Sequence, residues 1–130
     1  NTVIRMCLIH DLGECFIGDI PSFKKTDADE ETEEKQLFGW VDTLPAPYRA
    51  EMTALYREMI ALESTEARIY KALDNMEAVI QHNESDLSSW EANEYALNLT
   101  YGEDKAAFSP YLAALRRAVW DETDKKIEQR

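Results

Sequence analysis

Apolar residues recur along this chain at the three-and-four spacing of helix faces. Residues 2 to 14 are apolar on most sides through Val3, Ile4, Met6, Cys7, Leu8, Ile9 and Leu12, which predicts a helix buried all round. Gly13 and Gly18 then loosen the chain into a loop through Pro21. The run KKTDADEETEEKQ predicts an acidic loop over about 24–36 that runs into a solvated helix start, since acidic residues favour helix N-termini. Leu37, Phe38, Trp40 and Val41 restore an apolar helical face, which Pro45 and Pro47 end; Pro47 suits the first turn of the next helix. Met52, Leu55, Met59 and Leu62 mark that helix. Ser64 or Thr65 caps another over about 66–81, with Ile69, Leu73, Met76 and Ile80 as its stripe. Beyond the polar HNESDLSS, residues 90 to 101 form a weaker helical segment. Ser109-Pro110 opens the last helix, with Leu112, Leu115, Val119 and Ile127 as its face. With no alternating strand pattern, repeat or boundary, the fold class is all-α, a single domain over 1–130.

Charge narrows the partners. The net charge is −12, and such a surface repels a phosphate backbone, so a nucleic-acid polymer is excluded as a partner. A small phosphorylated ligand needs a metal or local basic groups to offset the field. Cys7 and Cys15, without a CxxC or a larger cysteine framework, predict a reduced, cytoplasmic protein. No apolar run approaches the length of a membrane helix and no signal-peptide pattern is visible, so Asn98-Leu99-Thr100 is read as a coincidental glycosylation motif. The chain starts at Asn1 directly on an apolar helix, which predicts that upstream residues have been removed.

The apolar start carries its own contradiction: MCLIHDLGECFIGDIPSF embeds His10, Asp11 and Glu14 in hydrophobic surroundings. On a helix, the spacings i,i+4 and i,i+3 would bring all three into a sector of about 100°. Carboxylates on a buried helix are costly unless a cation or donors compensate them, and imidazole with carboxylate suits Mn, Fe, Co, Ni or Zn. From the His-Asp dipeptide alone, a polar C-terminal turn is the commoner reading. In ARIYKALDNMEAVIQ, Asp74 lies just off the apolar stripe with Tyr70, Glu77 and Gln81 on its flank. In isolation that too reads as a solvent boundary.

Taken together and in order, His10-Asp11 and Asp74 resemble the middle pair and last aspartate of the H…HD…D ligand set of the HD-domain metal-dependent phosphohydrolases. HDLGECFIGDIPSF looks like the HDxxE…GD(I/L)P motif of the branch that contains the 5'-deoxynucleotidases. The resemblance is strong over 2–23 and 64–81 and weak beyond about 86. It implies an HD-domain helical bundle lacking its first helices, and one divalent ion (Mn, Co, Fe, Ni, Zn or Mg) held by His10, Asp11 and Asp74. It further implies Glu14 and Asp19 as catalytic acids and Lys71 as a substrate-binding residue. The implied activity is hydrolysis of a small phosphomonoester, foremost a nucleoside 5'-monophosphate; the alternative is an inactive HD-fold nucleotide-binding or structural protein. The implied partners are a small phosphorylated metabolite or nucleotide and a second copy in a homodimer, with no membrane. The family's first ligand is a histidine upstream of the HD helix, and only His10 and His82 are present here. His82 is eight residues past Asp74, about 12 Å along the same helix, and reads as a surface residue at its end. The 130 residues by themselves are therefore expected to bind metal poorly and to be inactive.

Overall fold

In the computed structural model, which describes residues 1–130, every regular element is helical. The chain divides into two compact units, Asn1–Ala67 and Arg68–Arg130. The first holds α1 (Thr2–Ile9), α2 (Glu14–Ile17), α3 (Asp27–Val41) and α4 (Tyr48–Ala61). Helix α5 (Thr65–Glu84) begins at the end of the first unit. The second unit continues through a 3₁₀ turn at Leu87–Ser89, α6 (Glu94–Thr100), α7 (Glu103–Ala106) and α8 (Pro110–Glu128). No helix is long and apolar enough to cross a membrane.

In the first unit α2 packs on α3, α3 on α4, and α1 on α4. The segment expected as an acidic loop over about 24–36 is helical from Asp27. Thr26 and Asp29 close a capping box, each side chain taking up the other's backbone N–H, and Asp27, Asp29 and Glu30 complement the positive end of the helix. Leu37 and Val41 are buried as the pattern requires, whereas Trp40 is exposed. Helix α1 differs from expectation: only Met6 is buried, while Ile4 is 62% and Leu8 77% exposed. An eight-residue helix resting one side on α4 cannot cover its opposite face.

Ser64 caps α5 by accepting the Ala67 N–H at 3.2 Å. In the second unit Ala72 and Met76 form a core with Ala106 and Leu112, against which Ile69, Leu73 and Phe108 pack. The expected segment over 90–101 is helical only from Glu94, because Trp90 closes the preceding 3₁₀ turn and donates its indole N–H to the His82 carbonyl at 2.9 Å. Ser109 and Pro110 open α8 as expected, with Ser109 Oγ accepting from Leu112 N. The buried face of α8 is Leu112, Arg116, Val119 and Thr123 rather than a wholly apolar stripe, and Leu115 lies outside it. Arg116 is buried because its guanidinium donates to the Asn98 and Tyr101 carbonyls, both at 3.1 Å, closing the C-terminal end of α6. His82 also departs from its surface reading: Nδ1 lies 2.8 Å from Asn98 Oδ1 and the ring packs beside Trp90.

Candidate functional site

Helix α1 ends at Ile9, so the expected continuous helix over 2–14 is broken where the polar residues begin. His10 is its C-cap, and the backbone then runs through tight turns in which Leu12, Glu14, Cys15 and Phe16 each donate to the carbonyl three residues back. Glu14 opens α2. In three-residue turns i and i+3 eclipse, so Asp11 and Glu14 align more closely than His10 and Glu14 do. The end of α1 is fixed from α4, where the Tyr56 hydroxyl donates to the Ile9 carbonyl at 2.7 Å. Burial, with a smaller contribution from Cys15, pushes the Tyr56 phenol up to about 12, so it stays a donor at any physiological pH.

The Cys7 carbonyl lies 2.6 Å from His10 Nδ1, and a carbonyl only accepts, so Nδ1 carries the hydrogen. Nε2 then faces Asp11 Oδ2 at 3.1 Å, as an N–H donor in the charged ring and as a lone pair in the neutral one. Two lone-pair donors at that distance repel unless a cation lies with them: a proton on Nε2 or a metal. Imidazole Nε2 and carboxylate, with Nδ1–H held by a backbone carbonyl, form a donor set that fits a divalent ion.

Glu14 is held above the usual carboxylate range, first by burial and then by Asp11, Asp19 and Glu33, with Lys25 opposing. Asp19 follows Gly18, which closes α2 at φ 85, ψ 172, a region essentially reserved for glycine. The Gly-Asp of the motif thus has a backbone reason. Lys25 and Glu33 form an ion pair with both side chains largely enclosed.

Asp74 and Lys71 lie on α5 in the second unit, and the Lys71 ammonium is 3.3 Å from Asp74 Oδ2. The structure thus brings His10 next to Asp11, Glu14 into the field of Asp11 and Asp19, and Lys71 onto Asp74. It gathers no group of three or more His, Cys, Asp or Glu side chains that could hold a metal ion. Sequence reasoning missed Tyr56, Lys25 and Glu33. Tyr56 stands one turn before buried Met59, and Glu33 one turn before buried Leu37, so helical spacing did carry a signal for both.

The family model described as "HD domain" matches residues 1–116. The chain belongs to the HD-domain family. Curated proteins similar to this HD domain include the 5'-deoxynucleotidase HDDC2 of Mus musculus, 34% identical over 83 residues, and that of Danio rerio, 35% identical over 83 residues. Each alignment covers 62% of this chain and 42% of the relative. The Xenopus laevis protein of the same name is 27% identical over 129 residues, 97% of this chain and 63% of its own. This HD domain thus spans less than half the length of the first two relatives in those alignments. No solved structure matches it.

Proposed function

We propose that this HD domain belongs to a divalent-metal-dependent phosphohydrolase that acts on a small phosphomonoester, foremost a nucleoside 5'-monophosphate, deoxy forms included. The observation that carries the proposal is the His10–Asp11 pair, Nε2 and Oδ2 3.1 Å apart with the far ring nitrogen tied to a backbone carbonyl. The name that these relatives carry, 5'-deoxynucleotidase, supports the substrate class.

His10 and Asp11, with Asp74 by family resemblance, would hold one divalent ion (Mn, Co, Fe, Ni, Zn or Mg). The chemistry such an ion would supply there is polarisation of a phosphoryl oxygen and a lowered pKa for a bound water. Glu14 would orient the attacking water and take its proton, a role that suits a carboxyl whose affinity for a proton is raised by burial and neighbouring carboxylates. Asp19 contributes a second carboxylate to catalysis or substrate contact, and Lys71 balances phosphate charge.

The deciding experiment titrates the full-length protein with Mn²⁺ and follows phosphate release from nucleoside and deoxynucleoside 5'-monophosphates, for wild type and Asp11→Ala. Loss of both metal and turnover in the variant is the expected result; full metal binding and activity would sink the assignment. The second reading, an HD-fold protein that binds a nucleotide or serves structure without turnover, draws on the pairing of Lys71 with Asp74 within one helix. Nucleotide binding without phosphate release would favour it, as would Asp11→Ala raising stability in the presence of metal.

A further inference from the structure

Gly13 is buried and has φ −61, ψ −28, a conformation any residue adopts. What demands glycine there is a contact. A Cβ at this position would lie 2.6 Å from Glu33 Cγ and 2.7 Å from Glu33 Oε1, well inside van der Waals separation. Glu33 is not free to swing aside, because its other oxygen is paired with the Lys25 ammonium and the two side chains are only 13% and 21% exposed. Lys25 comes from the segment between α2 and α3, and Glu33 from the face of α3 that continues into buried Leu37. The pair therefore grips the backbone of the residue directly before Glu14.

We propose that Glu33 and Lys25 are a positioning pair for Glu14: held by Lys25, Glu33 seats against Gly13 and fixes the turn from His10 to Glu14 onto α3. This deepens the reading above and rests on it for its catalytic consequence. Neither residue touches substrate. Their effect passes through the orientation of the Glu14 carboxylate, where a displacement of about 1 Å can cost on the order of 10²-fold in rate.

The test is amide exchange alongside kinetics on the full-length protein. In Glu33→Ala, the amides of Glu14, Cys15, Phe16 and Gly18, which close the turn and α2, should exchange about tenfold faster, while Leu55 and Met59 in α4 keep their protection. With Mn²⁺ and a deoxynucleoside 5'-monophosphate, kcat should fall about tenfold, with KM and Mn²⁺ affinity little changed. Gly13→Ala attacks the same contact from the other side, and Gly13→Ala/Glu33→Ala should recover turn protection relative to Gly13→Ala; simply additive effects would refute the contact. Glu33→Gln, which keeps the atoms against Gly13 and removes the charge, should show the same changes at smaller size if the alanine variant does not fold. Protection lost equally in α4, or unchanged in the turn, overturns the proposal, as does a loosened turn with full kcat. If the wild type hydrolyses no nucleotide, the proposed function falls while the exchange results still decide the pair.

Discussion

In the first unit, Asp11, Glu14, Asp19 and Glu33 crowd one stretch of chain, and Lys25 opposes them. In the second unit, enclosed polar side chains are matched mostly by neutral hydrogen-bond partners, with the Glu94 carboxylate 3.8 Å from His82 Nε2. Arg116 donates to two backbone carbonyls, Thr123 donates to Asn83 Oδ1 at 3.0 Å, and His82 meets Asn98. Only Asn98 Nδ2 and Arg116 Nη1 are left without a partner there. Both arrangements bring polar groups together, Glu14 and Glu33 half-buried beside the exposed Asp11 and Asp19 in the first, but with opposite energetic signs. Like charges gathered in a half-buried turn raise the free energy of the folded state, whereas hydrogen-bonded donors and acceptors offset their own desolvation. An unfavourable concentration of charge suits a chemical site; a network satisfied at all but two atoms suits a scaffold.

The sharpest way to break this contrast is Glu14→Gln. Turnover should fall by about 10²- to 10⁴-fold, equivalent to roughly 3–5 kcal/mol on the barrier, while bound metal stays. The same variant should melt higher than wild type at pH 7. The folded-state pKa of Glu14 is raised, so the native state binds the proton more tightly than the unfolded chain. Its contribution to stability is present at low pH and lost as pH rises through the folded pKa. A lower melting temperature at pH 7 would show that Glu14 is a structural carboxylate.

Arg116→Leu probes the scaffold side. It strips the Asn98 and Tyr101 carbonyls of their donors and should cost about 2–4 kcal/mol by urea denaturation. A near-neutral result would mean that water replaces the guanidinium at no cost. Gly18→Ala forces a Cβ onto a φ of 85 and should cost about 1–3 kcal/mol, together with disorder at Asp19 visible in amide exchange. Tyr56→Phe should cost about 1 kcal/mol by the same denaturation assay, because it removes the donor to Ile9. Its metal affinity should fall if the end of α1 positions His10, and hold if it does not.

Apolar periodicity revealed much of the architecture. Ser64, Pro110, Leu37, Met76 and Leu112 stand where the pattern put them, because the residues that bury apolar area are the residues that create the period. The His-Asp pair, Glu14 and the Gly-Asp step were legible as a motif, and the motif led to the family. Asp74 and the metal it is proposed to help bind stand on that resemblance alone. What periodicity could not show was polar burial. Arg116 and Tyr56 are enclosed because backbone carbonyls 15 to 47 residues away accept from them, and no spacing encodes such partners. The helical start at Asp27 was readable in principle, since Thr26 and Asp29 stand three apart, but the density of charge masked a capping box. The break after Ile9 was not readable, because His10 to Leu12 keep helical backbone preferences while their hydrogen bonds shorten to three-residue turns.

The hydrogen bond from Tyr56 to Ile9 also sets an order in time. It spans 47 positions, so closing it carries a loop-entropy cost that local helix formation does not. During synthesis at about 5–20 residues per second, Tyr56 is joined to the chain roughly 2–9 s after Ile9. Until α4 has emerged from the ribosome and docked, the carbonyl that precedes His10 has no fixed direction. The seating of the turn on α4 is therefore set late, after α4 itself has formed, whereas the contacts of His10 with the Cys7 carbonyl and with Asp11 span three residues at most and form with the turn itself.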